Sequence, residues 1–562
     1  MQARQRQEER LQGQVTANDA IRAALGRAAE RLGAPGAEVT LERPRDPAHG
    51  DLATNLALTL AKVLNAKPRE VADRLVAVLD LPPGLVRKTE IAGPGFINFF
   101  LSEGELSAVL GAVLAAGPRY GRSESGQETA INVEFVSANP TGPLHVGHGR
   151  GAALGDAIAS LLEWTGHAVT REFYVNDAGA QIDKLARSLW ARVQQRVGRT
   201  AEVPEGGYQG DYLVELAEEI LTSEGRAFAD LSQDEGLRRC RAIGMRSQRA
   251  EQDEDLRAFG VKFDVVFFES ELYRLGLIEQ TLRHLAERGH TFEQDGALWL
   301  RATAFGDDKD RVLRKRDGTY TYLLPDIAYH RHKHERAFRY AIDVWGADHH
   351  GYVPRVRAAL LALGLPEDFF EVEIVQLVRV MRGGEEVRFS KRTGDFVTLR
   401  DLFEETGVDA ARYFFLMRRG DSQLVFDVDL AKSQTDENPV FYVQMAHARM
   451  SGIFRVAGRA PESVSADDVA LAVLDAPEEI DLMKELAAFP GVVTRAAQER
   501  EPHRITGFLD GLARVAHAWY HKYRVLGEPP PREQGRLVLA RAVRQVLANG
   551  LTLLGISAPD RM

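Results

Sequence analysis

The sequence predicts an α/β protein: a doubly wound parallel sheet, preceded by a small α+β module and followed by an all-helical bundle. Two observations predict the sheet. Ile131, Val133 and Phe135 alternate with Asn132 and Glu134, the period-2 pattern of a strand, and a helix marked by Leu154, Ala157, Ile158, Leu161 and Leu162 follows across a broken stretch. A second strand-like piece, Val169 to Val175, runs through Asn176-Asp-Ala-Gly179 into a helix marked by Ile182, Leu185 and Leu189. Two β-turn-α units in succession imply parallel strands joined by crossovers of one hand. The bundle is predicted by helical spacing from Asn438 onward: Val440, Val443, Ala446, His447 and Met450, then Val543, Val546, Leu547, Leu551 and Leu554, with Gly555 as a stop.

The chain's 562 residues exceed what one core organises, so several domains are expected. Its 44% hydrophobic and 27% charged residues are ordinary for a globular chain. No apolar run approaches the ~20 residues of a membrane helix, and MQARQRQEERLQGQ at the start has no apolar stretch for a signal peptide. The one cysteine, Cys240, excludes an intrachain disulfide and a multi-cysteine zinc site. A cytoplasmic protein is the expectation. The net charge of −10 argues against a general nucleic-acid binder. Residues 501–562 nevertheless hold nine Lys/Arg against five Asp/Glu, a local net of +4.

In chain order, Asn18 or Asp19 caps a helix with Ile21, Leu25, Ala28 and Leu32, ended by Gly33. Val39 and Leu41 suggest a short strand. Asp51 is expected to cap a second helix with Leu52, Leu56, Leu60, Val63 and Leu64, and Pro68 to open a third. Strand-like pieces at 85–91 and 96–101 complete a module over 1–115. Gly117 to Glu128 reads as a linker. The sheet domain then covers 125–435. Residues 195–260 are charged and helical, and Phe263–Phe268 and Gly296–Arg301 look like strands returning to the sheet, which gives a helical insertion at about 195–300. Tyr322-Leu-Leu-Pro-Asp326 leads into a helix carrying His330, His332 and His334. Their alternate spacing does not share a helical face, so they read as a solvated face in preference to a metal site. Ala341–Trp345 is a strand, GADHHGY (346–352) a turn into a helix, and Val372–Val380 the next strand. Residues 397–426 connect to the bundle, 436–562. There is no internal repeat.

Chemistry concentrates between Ile131 and Leu154. Asn139-Pro-Thr-Gly-Pro143 breaks regular structure, and His145-Val-Gly-His148 opens the helix. Free backbone N–H groups and the positive end of the helix dipole make such a turn a phosphate site. Gly147 permits close approach, and His145 and His148 add donors. This turn and YVNDAGAQ (174–181) both lie at carboxyl ends of strands, where such sheets bind ligands. Far downstream, MRGGEEVRFSKRTGD (381–395) is a basic, Gly-containing loop whose Lys391 suits a triphosphate. Taken alone, H-x-x-H equally describes two structural histidines or half a metal site, and the loop a plain basic surface.

VEFVSANPTGPLHVGH (133–148) resembles the HIGH region of class I aminoacyl-tRNA synthetases, specifically arginyl-tRNA synthetases. Arg388-Phe-Ser-Lys-Arg392 resembles their second signature, KMSKS, and YVNDAGAQ their family sequence. HGDLATNLALTLAK (49–62) resembles the family's N-terminal domain, which contacts the tRNA elbow. ENPVFYVQMAHAR (437–449) and the closing LTLLGISAPDRM resemble its α-helical anticodon-binding domain. Members lacking the signature lysine often carry one before HIGH; this chain keeps Lys391 and has Gly142-Pro143 there.

The resemblance implies a Rossmann-like catalytic domain and ATP-dependent ligation of L-arginine to tRNA(Arg) through an arginyl-adenylate, releasing AMP and pyrophosphate. It implies His145, His148 and Lys391 as catalytic donors and charges, with Gly147 and Ser390 joining them on ATP. Glu134, Asn139, Tyr322 and Asp326 match the positions that hold arginine, in the spacing E-x4-N and Y-x3-D. Mg²⁺ is expected mainly on the ATP phosphates, with no protein metal site. Carboxylates pair a guanidinium bidentately. A pocket built so should reject neutral analogues by ~10⁴-fold, making an editing domain unnecessary. A strand-end salt bridge for Glu134 and a helix cap for Asp326 describe each residue equally well alone.

Tyr442, Trp519, Tyr520, Lys522 and Tyr523 are candidates for RNA contact, although each aromatic singly fits core packing. Amino-acid activation that waits for tRNA is a further implication of the resemblance. A monomer without membrane attachment is expected. Another class I synthetase fits less well: the single cysteine disfavours the zinc-bearing cysteinyl form, and residues 133–148 match glutamyl forms poorly. A non-catalytic tRNA- or arginine-binding paralogue would not need His145, His148, Ser390 and Lys391.

Overall fold

A computed structural model describes residues 17–42, 44, 46–387, 397–466 and 471–562. The first module contains α1 (Ala17–Arg31), β1 (Leu52–Thr54), α2 (Leu56–Leu60), α3 (Pro68–Ala77), β2 (Val86–Ala92) and β3 (Phe96–Leu101), with an antiparallel sheet in the order β1-β3-β2. Pro68 sits at the first position of α3, where its missing N–H costs nothing. Asp51 is not a helix cap. Its carboxylate accepts the Leu101 N–H at 2.7 Å and meets Lys484 of the bundle at 2.8 Å, which draws residues 52–54 into a strand. The strand expected at Val39 and Leu41 is reduced to one bridge, Glu42 to Ala53.

α4 (Glu103–Ala116) leads into the segment expected to be a linker, which is instead strapped to the bundle. Tyr120 donates its hydroxyl to the Leu486 carbonyl (2.9 Å) and stacks on Phe489. The Asn549 amide donates to the carbonyls of Gly117 and Tyr120, both at 3.0 Å.

The central domain runs β4 (Ala130–Glu134), α5 (Val146–Trp164), β5 (Ala168–Val175), α6 (Ala180–Arg196), α7 (Asp211–Glu224), α8 (Gln233–Ala258), β6 (Val265–Phe268), α9 (Glu269–Arg274) and α10 (Leu277–Glu287). It continues through β7 (Thr291–Gln294), β8 (Ala297–Leu300), β9 (Arg311–Arg314), α11 (Leu323–Glu335), β10 (Tyr340–Gly346), α12 (Val353–Ala362) and β11 (Phe370–Val375). Its sheet has the order β11-β10-β4-β5-β6 with every pair parallel, so strand carboxyl ends share one edge. Helices cover the sheet, and its central strand β4 is buried nearly throughout.

Two expectations about strands are corrected. Gly296–Arg301 does not return to this sheet; β8 is the middle of a separate antiparallel sheet, β7-β8-β9. Val372–Val380 is two strands. β11 ends at Val375, and β12 (Val378–Arg382) joins β13 (Glu385–Glu386) and β14 (Leu424–Asp427) in another sheet. The break is tertiary in origin: the Gln376 N–H goes to the Gly420 carbonyl and its own carbonyl accepts from Arg150.

After α13 (Leu399–Thr406), α14 (Val408–Leu416) and α15 (Val428–Lys432) come the bundle helices α16 (Pro439–Ala457), α17 (Pro477–Gln498), α18 (His503–Lys522) and α19 (Pro530–Leu553). Trp519 is fully buried among them and is unavailable to RNA. Lys522 and Tyr523 both bind Glu478, while Tyr520 stays exposed.

α5 joins these parts. Fully buried Arg150 donates to the carbonyls of Gln376, Ser422 and Arg419 at 2.8–2.9 Å. Asp156 pairs with Arg171 at 3.2 Å and with Arg412 at 2.6 Å. Arg412, also fully buried, donates to the Leu554 carbonyl at the end of the bundle and to Phe259 just beyond α8. Truncating one partner of a buried pair leaves the other uncompensated. Arg412→Ala should therefore destabilise the chain by about 3–5 kcal/mol, seen as a lowered calorimetric melting temperature. An unchanged melting temperature would remove this knot from the account of domain docking.

Candidate active site

β4 ends at Glu134, and the chain then takes a conformation few residues tolerate. Val136 and Ser137 have φ of +68° and +39°. A β-branched residue there is strained, which points to a position fixed for use. The turn sets Ser137 beneath Glu134: its hydroxyl donates to Glu134 Oε1 at 2.8 Å and accepts the Tyr174 N–H at 3.1 Å. Glu134 Oε2 receives the Lys333 ammonium at 2.6 Å. Burial raises the Glu134 carboxyl above its usual range, against the opposing pull of Lys333.

The HVGH turn is a reciprocal cap. His145 Nδ1 accepts the N–H groups of Gly147 (3.0 Å) and His148 (3.2 Å), and His148 Nδ1 faces the His145 N–H at 3.3 Å. The two rings stack with centroids 3.7 Å apart. An Nδ1 that accepts leaves the neutral ring's proton on Nε2. Burial lowers both histidines, His148 to about 3 with His145 adding to the effect, so both are neutral donors at pH 7 and carry no charge. Gly147 is required by the cap itself, since a Cβ there would lie 2.9 Å from His145 Cε1.

Val397 to Leu399 runs alongside this turn: Val146 donates to the Val397 carbonyl, Leu399 to the Leu144 carbonyl, and His145 bridges to Thr398. Ser390 and Lys391 lie outside the described residues. The other arginine candidates are dispersed differently from one another. The Asn139 amide donates to Gln181 at 2.6 Å, and Gln252 holds the Asn139 and Gly142 carbonyls. Asp326, in the first turn of α11, accepts from the Tyr352 hydroxyl at 2.6 Å, and burial raises its carboxyl to about 7. Tyr322 precedes the same helix with a side chain 79% exposed, so it is not enclosed with the others.

Several groups around these residues were not taken as site residues in the sequence. Burial raises the Glu269 carboxyl at the start of α9, which faces Tyr174 and adds its charge to that of Glu134 at Asp326. His330 is buried, binding Asp343 Oδ2 (2.9 Å) and the Asp326 carbonyl (2.7 Å), so it does not belong to the expected solvated face, whereas His332 is half-buried and His334 exposed. Lys333 is fully buried. Asp326, His330 and Lys333 lie at i, i+4 and i+7, one helical face, and that spacing was the available signal. Among the described residues no group of three or more His, Cys, Asp or Glu offers a metal ligand set.

Residues 109–450 match the family of tRNA synthetases class I (R), catalytic domain; residues 16–101 match the arginyl tRNA synthetase N terminal domain and 443–562 the DALR anticodon binding domain. The chain belongs to the arginyl-tRNA synthetases. It is 49% identical over 544 residues to the arginine–tRNA ligase of Geobacillus kaustophilus, covering 97% of each chain. It is 50% identical to that of Bordetella petrii, covering 94% of this chain and 96% of that one. The Thermus thermophilus arginyl-tRNA synthetase structure superposes with a TM-score of 0.78 at 26% identity, covering 97% and 99% of the two chains.

Class I membership makes this an ATP-using enzyme of the synthetase type. Gly147→Ala should displace the His145 ring and cost the α5 cap about 1 kcal/mol, while slowing tRNA-supported, arginine-dependent ATP–pyrophosphate exchange by roughly 10²-fold. An unaffected exchange rate would separate the histidine cap from the chemistry.

Proposed function

We infer that this chain ligates L-arginine to tRNA(Arg), first forming arginyl-adenylate and pyrophosphate from ATP and then passing arginine to the terminal ribose with release of AMP. The observation that carries this reading is the site's division. Neutral Nε2–H donors at a helix N-terminus suit developing phosphate charge, and a separate set of half-buried carboxyls suits a guanidinium. In the proposed assignment His145, Gly147 and His148 hold ATP, with Ser390 and Lys391 closing on its phosphates. Glu134, Asn139, Tyr322 and Asp326 hold arginine. No side-chain nucleophile is needed, because the arginine carboxylate attacks the α-phosphate in line; positioning and charge neutralisation do the rest.

Mg²⁺ would enter on the ATP phosphates, where it supplies charge neutralisation, and no step here depends on a protein ligand for it. The domains take the proposed boundaries 1–115, 125–435 with its insertion, and 436–562, for elbow, catalysis and anticodon. With all three on one chain, a monomer acting in the cytoplasm is the reading we adopt. Among the described residues no helix is long and apolar enough to cross a membrane.

The purified chain with ATP, Mg²⁺, tRNA and each amino acid in turn should charge arginine alone; charging of any other amino acid would overturn the specificity. Arginine binding should also follow Asp326. Its carboxyl is raised to about 7, and a guanidinium pairs with the ionised form. The arginine KM should therefore be lowest and flat above pH ~7 and rise up to about tenfold per unit below it. Asp326→Asn should raise KM and abolish the inflection. Persistence of the inflection in that variant would assign it elsewhere.

A further inference from the structure

Asp343, Glu134 and Glu172 are paired residue to residue across β10, β4 and β5, so three carboxylates stand side by side on one sheet face. All three are buried. Like charges in that arrangement oppose folding unless cations intervene. α11 supplies them. Arg336 takes both oxygens of Glu172 at 2.8–2.9 Å, and Tyr329 and Asn132 add hydrogen bonds at 2.7 Å. Lys333 lies between the other two, 2.6 Å from Glu134 and 2.9 Å from Asp343, with the Tyr329 ring centroid 4.6 Å away. His330 caps the far oxygen of Asp343.

The lysine touches both carboxylates at hydrogen-bond distance. Burial alone would lower its ammonium, yet Asp343 first, then Glu134 and Glu172, hold it cationic. Burial would raise Asp343, but Lys333 and His330 together hold it low. Glu134 remains raised. One ammonium thus stands against two carboxylates, and the Glu134–Asp343 pair keeps one net negative charge that Lys333 does not cancel.

We propose that Lys333 and Asp343 together set the charge of the arginine pocket, Lys333 acting as a positioning residue that fixes Glu134 while Asp343 keeps the lysine from cancelling it. This rests on the assignment of Glu134 to arginine binding above. Removing the lysine alone places Glu134 beside an unbalanced Asp343, and Glu134 takes up a proton. Removing Asp343 alone turns the whole ammonium onto Glu134. Either change weakens the pocket's attraction for a cation. Removing both restores the charge count, so the pair of losses is not additive.

The experiment measures arginine and ATP KM in tRNA charging for the full chain and for Lys333→Met, Asp343→Asn and the double variant. Each single variant should raise the arginine KM by about tenfold or more, with the ATP KM within about twofold. The double variant should bind arginine more tightly than either single variant. Losses that add, or that fall equally on both substrates, would overturn the proposal and leave a purely structural pair. Asp343→Asn is isosteric, so its KM split decides the matter even if Lys333→Met does not fold; an unchanged arginine KM in Asp343→Asn overturns the proposal. Wild-type protein that fails to charge arginine would instead refute the functional reading, and this inference with it.

Discussion

Three buried carboxylates in register across adjacent strands impose the central constraint on this structure. Asp343, Glu134 and Glu172 lie on one face of a parallel sheet. Water cannot screen them there, and each uncompensated charge would cost several kcal/mol. The covering element must therefore bring cations at fixed spacing. α11 does so with Lys333 and with Arg336 at its C-cap, three residues apart and so on one side of the helix. Satisfying these pairs fixes the rotation and depth of α11. It thereby fixes where the first turn of α11 falls, and with it Asp326, two helical turns before Lys333. A structural requirement of the sheet thus positions a candidate recognition group.

α5 plays the corresponding part on the other side of the site. Its first turn is the His145–His148 cap, and its next turns carry Arg150 and Asp156. Arg150 gathers three carbonyls from the segments around β12 and β14, and Asp156 gathers Arg171 and Arg412. Arg412 then reaches the end of the bundle. The helix that presents the cap is consequently also the one to which the insertion and the bundle are tied. A shift of either would be felt at α5, because these contacts are short, buried and directional.

Much of this was legible in the sequence where local rules govern. β4 and β5, the start of α5, Pro68 at the first position of α3 and the long bundle helices follow from periodicity and capping. The HVGH turn and the arginine candidates follow from motif and spacing. What failed were positions where a distant partner decides. Asp51 has the chemistry of a cap, yet Leu101 and Lys484 claim its carboxylate. Val372–Val380 has the pattern of one strand, yet Gly420 and Arg150 take the backbone of Gln376. Lys333 escaped, and His330 was read as solvated from its alternation with His332 and His334, because the sequence pattern sends polar residues to solvent, whereas here the buried face of α11 is partly ionic. Gly147 was read as space for a ligand, but its missing Cβ first makes space for the His145 ring.

The neutral histidines change how the two halves of the site coexist. A pocket for a guanidinium needs negative charge, and a pocket for ATP phosphates is harmed by it. Were the carboxylate row unbalanced, its field in a low-dielectric interior would reach the phosphate side. Lys333 and Arg336 cancel most of that field at its source. Burial raises the carboxyls of Asp326 and Glu269, so part of the remaining charge appears only as a cation arrives to share it. In the proposed assignment, His145 and His148 would attract the phosphates through oriented N–H dipoles and the helix terminus, without a cation that would compete with arginine for the carboxyls. Positive charge for the phosphates is then left to groups that come with ATP or close over it.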